Sequence, residues 1–451
     1  MTENAAQTLD SLRFTGPVFT PADPGYAEEV AGFQTAYTHR PALVVGAVHA
    51  EDVRAAVEYA ARHRLPVAVQ ATGHGLSVAA DHGVLITTHR MDAITVDPRT
   101  RTARIGAGVR AGVLVEAAAA HGLAPLNGSS PSVGVVGYVL GGGLGLLARE
   151  FGYAADHVRS IDLVTADGRM RTLTPADELF GAVLGSGGNF GVVTALELGL
   201  VPVTEVFGGQ LIFDTPLVDP ALDTWRRWTA TLPDTLTSTI AVVTFPDIPP
   251  VPEPMRGRHV ASIRIAFDGP AEEGERLVAP LRAIGDRLRD DLRVLPYTES
   301  HTIHSDPDFP HAYAATNALL SELTGEGIAA LRALTAPGGP VDAVVDIRHL
   351  GGALRHGDAS SVDHRDAEFV VRVITGAAGD TAPAGLAAVR EALAPWTIGH
   401  SLNFLYGAGA AADAAQTEAG YTPDTYARLV TAKAAYDPRN MFRFNRNIAP
   451  A

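Results

Sequence analysis

Apolar and polar positions follow two different rhythms along this chain. Up to about residue 205, short apolar runs alternate with helical patterns and with loops rich in glycine. Runs at 42–45, 67–70 and 83–87 read as strands, and between the first two Val53, Ala56, Val57 and Ala60 recur at helical spacing from about 50 to 63. Segments 94–96 and 102–105, joined by a turn at Asp97 and Pro98, predict one hairpin; 158–165 and 170–173, around Asp167 and Gly168, predict another. Helices are expected at about 110–121 and 178–183, and a strand at 192–200. Beyond about 207 the texture changes. Strand candidates at 208–213, 238–244, 260–267, 343–350 and 368–374 alternate with longer helical patterns at 220–231, 271–295 and 381–393, as in an antiparallel sheet covered by helices. A helix at 421–435 and a polar, aromatic tail at 436–448 follow, and the fold class reads as α+β.

One stretch obeys neither rhythm. Residues 127–145 carry Gly134, Gly137, Gly141, Gly142, Gly143 and Gly145. Each glycine inside a regular element costs about 0.5–1 kcal/mol relative to alanine, so an ordinary helix or strand is not expected here. Bare backbone lets N–H groups point at an anion and lets the chain approach a flat or phosphorylated ligand closely, which makes a cofactor cradle. The alternative is a tight connection packed on a sheet.

Composition narrows the partners. With 451 residues, 46% of them hydrophobic and 19% charged, the chain is long enough for two domains and a large core. A formal charge of −15 argues against nucleic acid or an anionic membrane surface. There is no cysteine, which removes disulfides, thiolate catalysis and Cys-ligated metals. Residues 1–13 have no apolar core of the leader type and no later run is long enough to span a bilayer, so a cytoplasmic protein is expected.

The most informative single residue is His74, between Gly73 and Gly75 directly after a strand. A loop tip of this kind presents an imidazole to a ligand as acid or base, metal ligand or nucleophile. A metal is not expected, since only Asp81 and His82 stand nearby and they look like a surface turn. A purely structural histidine is the remaining reading. Gly106 with Gly108 and Gly185 with Gly187 imitate a dinucleotide fingerprint, but each has its third glycine one residue late, at Gly112 and Gly191.

Taken in order, the strand before Gly73-His74-Gly75, Ser130-Pro131-Ser132-Val133-Gly134, Gly141-Gly142-Gly143-Leu144-Gly145, Gly187-Gly188-Asn189-Phe190-Gly191 and the tail from Tyr436-Asp437-Pro438-Arg439-Asn440 to Asn445 resemble the berberine bridge enzyme-like oxidases. These belong to the vanillyl-alcohol oxidase/p-cresol methylhydroxylase (PCMH) superfamily of FAD enzymes. The resemblance implies a PCMH-type FAD-binding domain in two subdomains over 1–205, an antiparallel-sheet substrate domain covered by helices over 206–404, and a segment, 405–451, that returns to the FAD-binding domain. It also implies FAD joined by a single covalent bond from the His74 imidazole to the flavin 8α-methyl, a link expected to raise the flavin's potential. Ala71, Thr72, Gly73, Gly75, Ser77, Ser129, Ser130, Val133, Gly134, Gly137, Tyr138, Gly141, Gly142, Gly143 and Gly145 would line the cofactor, with Val192 near the adenine and Asn445 close to the isoalloxazine. Val133 stands where the family's oxidases tend to carry valine, so the resemblance implies an oxidase over a dehydrogenase.

The implied activity is a two-electron oxidation of a small organic substrate, of the secondary-metabolite kind. Hydride passes to flavin N5 and then to O₂, giving hydrogen peroxide. Small-molecule substrate and O₂ are the expected partners, with a monomer or homodimer as the assembly and no metal. Three departures from the family pattern qualify this. Ser130 stands where many relatives have a second flavin-linking cysteine, and Gln70 stands where many have arginine. The family's Tyr-x-Asn-Phe strand reads Ser401-Leu402-Asn403-Phe404, so the tyrosine that often serves as base is absent. His349, His311, Tyr313 and Asn403 are the remaining catalytic candidates, and residues 299–313, rich in histidine, could form a lid or a solvated loop. Arg348 could bind an acidic substrate or pair with Asp346 or Glu368. The alternatives are a flavin-dependent oxygenase or cyclase that needs no tyrosine base, and a non-catalytic binding protein that keeps the fold.

Overall fold

A computed structural model describes residues 14–376, 381–406 and 414–451. The expectation drawn from residues 1–13 lies outside these. The described chain is α+β, built on three sheets.

The first sheet has four strands in the order Val18–Phe19, Leu43–Gly46, Val84–Thr87, Val67–Gln70. Leu43–Gly46 and Val67–Gln70 both run parallel to Val84–Thr87. Parallel neighbours need a crossover, and the helix Ala50–His63 supplies it, burying Val53, Ala56, Val57 and Ala60 as the periodicity predicts. The second sheet is antiparallel, in the order Ile94–Asp97, Thr102–Gly106, Val192–Gly199, Val158–Val164, Met170–Leu173. Both predicted hairpins are its outer pairs.

The third sheet holds nine strands, all antiparallel, between Glu205 and Gly399. Its face carrying Ile240, Ile263, Val345, Ile347, Val371 and Val373 forms one core with Leu222 and Trp225 of the helix Val218–Thr229 and with Leu386 and Val389 of the helix Thr381–Leu393. The alternate residues of the same strands, Asp346, Arg348 and Arg372 among them, necessarily point the other way.

Two differences from the sequence reading have physical causes. The helix expected over 271–295 stops at Arg282, because Arg289–Asp290 and Arg293–Pro296 are captured as edge strands by Glu205–Phe213. Within the glycine-rich stretch a short helix, Val135–Leu140, does form; its Val135, Val136, Val139 and Leu140 are buried, which offsets the cost of Gly137.

Candidate active site

A cavity of about 470 Å³ lies where the three sheets meet, lined by Val69 and Gln70 of the first, Val192 and Val193 of the second, and Arg348, Arg372 and Ile374 of the third. Of the residues expected at the cofactor, Ala71, Thr72, Gly73, His74, Gly75, Ser77, Ser129, Ser130, Val133, Gly134, Gly137, Tyr138, Gly141, Val192 and Asn445 line it. Gly142, Gly143 and Gly145 do not. The first two, at φ of 109° and 77°, turn the chain back after the short helix, and Gly145 packs against the Leu126 and Asn127 carbonyls.

His74 is held from three sides. Its ring stacks on Phe33 with centroids 3.8 Å apart and planes 12° apart. Nδ1 lies 2.9 Å from Thr72 Oγ1, and Nε2 lies 3.1 Å from Ser132 Oγ. Thr72 Oγ1 also accepts the Gly134 N–H at 3.2 Å, so one hydroxyl joins the His74 loop to the start of the glycine-rich helix. Burial, helped by Arg110 and His311, lowers the His74 pKa to about 4, so the ring is neutral near pH 7.

Asn403 lies in a short turn, Leu402–Phe404, and its Nδ2 donates to the Tyr138 carbonyl at 2.9 Å. That bond ties the third sheet's segment to the glycine-rich helix. A Cβ on Gly141 would overlap Asn403 Oδ1. Gly141→Ala is therefore expected to push Asn403 off Tyr138 and cost about 1–3 kcal/mol, seen as a lower denaturation midpoint and a lower flavin content of the purified protein.

The remaining catalytic candidates separate. Tyr313 O–H donates to the His74 carbonyl at 2.6 Å, and burial raises its pKa, making it a donor and not a base. His311 lines the cavity; its Nδ1–H donates to the Phe309 carbonyl at 2.9 Å, leaving the Nε2 lone pair without a partner among the described residues. The segment around it is no free lid. Its backbone bridges Phe33 and Thr35, and Gln34 holds Tyr313 O at 2.5 Å.

His349 does not line the large cavity. It sits in a small crevice with Arg264 and His304, accepting from Arg149 Nη1 at 3.1 Å, and burial together with that guanidinium lowers its pKa to about 3. A ring so placed is a poor proton acceptor, and the expectation of a catalytic His349 gives way to a structural role. Burial and Arg264 lower the His304 pKa to about 3 as well. In the unfolded chain both rings titrate near 6.5. Their neutral burial thus stabilises the fold fully above that pH, and the contribution is lost as pH falls toward 3. The thermal midpoint is expected to drop by several degrees between pH 7 and pH 4, and His349→Phe should flatten part of that slope.

Sequence reasoning missed Phe33, Asp306, Arg372 and Tyr406, all lining the cavity. None lies in a motif; strand register and tertiary contacts bring them there. Gln70 binds the Ala31 carbonyl at 3.0 Å and His39 Nε2 at 3.1 Å, so it serves the loop around Phe33.

The cavity fits FAD. A Cβ added at Gly75, Gly137, Gly187 or Gly188 would meet nothing within 4 Å, so main chain lies bare along its wall. Asn127 Oδ1 and Asn445 Oδ1 are buried without a donor among the described residues, and both asparagines line the cavity. A ligand with several N–H and O–H groups would satisfy them. Fold and site together define an FAD-linked oxidoreductase.

Comparison with known proteins agrees. Residues 41–174 match the family described as FAD binding domain, and residues 412–449 match the family described as berberine and berberine like. The chain thus carries both an FAD-binding domain and a berberine-like C-terminal segment, and its relatives include FAD-linked oxidoreductases. It is 29% identical to (R)-6-hydroxynicotine oxidase of Paenarthrobacter nicotinovorans, over 97% of this chain and 98% of that one. The crystal structure of 6-hydroxy-D-nicotine oxidase from Arthrobacter nicotinovorans superposes with a TM-score of 0.82 at 26% identity, covering 98% of this chain and 99% of the other. Xylooligosaccharide oxidase from Myceliophthora thermophila shares the fold at a TM-score of 0.85 and 20% identity, covering 99% of each chain. Among the described residues no helix is long and apolar enough to cross a membrane.

Proposed function

We propose that this protein oxidises a carbon bearing a hydroxyl or amine in a small organic molecule, with O₂ as the final acceptor and a single covalent bond from His74 to the flavin. Residues to about 205 and from about 405 would hold the cofactor, and 206–404 would supply the sheet that faces the substrate. The observation that carries this reading is the continuity of one cavity from the glycine-lined wall past His74 to His311 and the polar face of the third sheet. Bound FAD supplies the two-electron acceptor and the reaction with O₂.

The chain's own residues supply the rest. The neutral His74 imidazole offers a nucleophilic lone pair at the end of the cradle. Asn127 and Asn445 offer acceptors, and Asn403 fixes the glycine helix. His311 Nε2 accepts the O–H or N–H proton of the substrate, taking the part that a tyrosine at position 401 would have played.

Anaerobic addition of the true substrate is expected to bleach the flavin band, with one peroxide formed per turnover once air is admitted. Product formed without bleaching would favour the cyclase alternative. His311→Gln should lower kcat by about 10²–10⁴-fold with flavin content unchanged. An unaltered kcat would assign proton removal to another group.

A further inference from the structure

The third sheet's cavity-facing side carries more positive charge than it neutralises. Asp346 lies directly opposite Arg372 on the neighbouring strand, and Arg348 follows Asp346 by two residues, hence on the same face. Arg264 and Arg348 both pair in register with Thr239, which puts Arg264 in the same row as Arg348. One carboxylate therefore meets three guanidiniums: Asp346 lies 3.3 Å from Arg264, 3.0 Å from Arg348 and 3.3 Å from Arg372.

A second carboxylate, Asp306, faces the same group and accepts from Ser129 Oγ at 2.5 Å. Burial keeps His304 neutral and Tyr406 protonated, so neither changes the count. Three positive charges against two negative leave an excess of one. Buried charge without a counterion is costly, and the Nε–H groups of Arg264 and Arg372 are buried with no acceptor among the described residues. Phe404 lies against both Arg348 and Arg372, its ring centroid 5.0 and 4.9 Å from the two guanidinium carbons, which holds their planes in place.

This cluster opens on the reaction cavity. Arg348, Arg372 and Asp306 line it, and a run of contacts joins them to the candidate flavin-linking residue. Tyr313 bonds the His74 carbonyl, its ring packs edge-on to Tyr406 at 5.6 Å, and Tyr406 hydrogen-bonds Arg372.

We infer that Arg348 and Arg372 form an anion subsite for the substrate, so that the molecule oxidised carries a carboxylate. The inference rests on the cavity being the flavin and substrate site. A carboxylate entering from the cavity supplies the missing negative charge and accepts charge-assisted hydrogen bonds from the guanidiniums, while the carbon to be oxidised is left toward His311.

The test uses the purified yellow holoenzyme and two probes of equal shape, benzoate and benzamide, followed by perturbation of the flavin absorption band. Benzoate should perturb it saturably, with benzamide binding at least about tenfold more weakly. Arg372→Gln and Arg348→Gln each remove the unbalanced charge, so the fold should persist with its flavin. Each should weaken benzoate by about tenfold or more and leave benzamide nearly unchanged. Equal affinity for the two probes, no perturbation by benzoate, or variants that bind benzoate as the parent does would each overturn the subsite while leaving the flavin reading intact. A protein purified without a flavin band would overturn both. If a variant fails to fold, the comparison of the two probes on the parent still decides.

Discussion

His74→Ala is expected to yield protein whose flavin is released entirely by acid denaturation, whereas the parent's precipitate stays yellow. The imidazole is neutral near pH 7, because burial beside Arg110 and His311 holds its pKa at about 4, so its lone pair is available for bond formation. Stacking on Phe33 and contacts to Thr72 and Ser132 fix the ring before the cofactor arrives. Ser132, which contacts the ring, and Ser130 lie 3.0 Å apart at their hydroxyls and bring no thiol, so no second bond should remain in the variant. Loss of an electron-withdrawing link lowers the flavin's potential, and turnover should fall by about tenfold or more even with saturating FAD. A parent protein whose precipitate turns white would remove the covalent bond from the account.

The largest effect on stability is expected from Lys433→Ala. Lys433 is fully buried on the helix Pro423–Tyr436, and its ammonium donates to Asp437 Oδ2 at 2.7 Å, the Asn189 carbonyl at 2.7 Å and the Phe442 carbonyl at 3.0 Å. Asp437 in turn accepts the backbone N–H groups of Met441 and Phe442. Removing the cation leaves a buried carboxylate and two carbonyls short of a donor, a loss of about 3–5 kcal/mol. The readouts are a lowered thermal midpoint and faster proteolysis after residue 436. Lys433→Met with Asp437→Asn should recover part of the loss, since it removes both charges together. A double variant worse than either single one would mean that the pair does more than neutralise itself.

The half of the fold legible in the sequence was the half governed by local chemistry. Asp97-Pro98 and Asp167-Gly168 announced hairpins that the second sheet contains, and the spacing of Val53, Ala56, Val57 and Ala60 announced the crossover helix. The strand Tyr313–Leu320 gave no such warning, because its three alanines and one asparagine lack the β-branched and aromatic character of a strand; pairing with Phe369–Gly376 makes it one. His74 stood out by its flanking glycines, and Arg348 as a candidate partner of an acidic substrate, Asp346 or Glu368. That Arg264 and Arg372 complete the same cluster depends on strand register, which no local pattern encodes. His349 misled for the mirror-image reason: a histidine on a strand next to the expected site faces a crevice behind it.

Asn189 has a further consequence for how the chamber comes into being. Its side chain binds the Arg446 carbonyl and the Ile448 N–H, partners 257 and 259 residues later in the chain. Such remote partners make closure of this wall a non-local step, unlike the two hairpins of the second sheet, which pair among neighbours. Until residues 446–448 dock on Asn189, that side of the cavity stays open. On the proposed reading the flavin is captured only when this wall closes, so residues 446–448 share in holding it with His74.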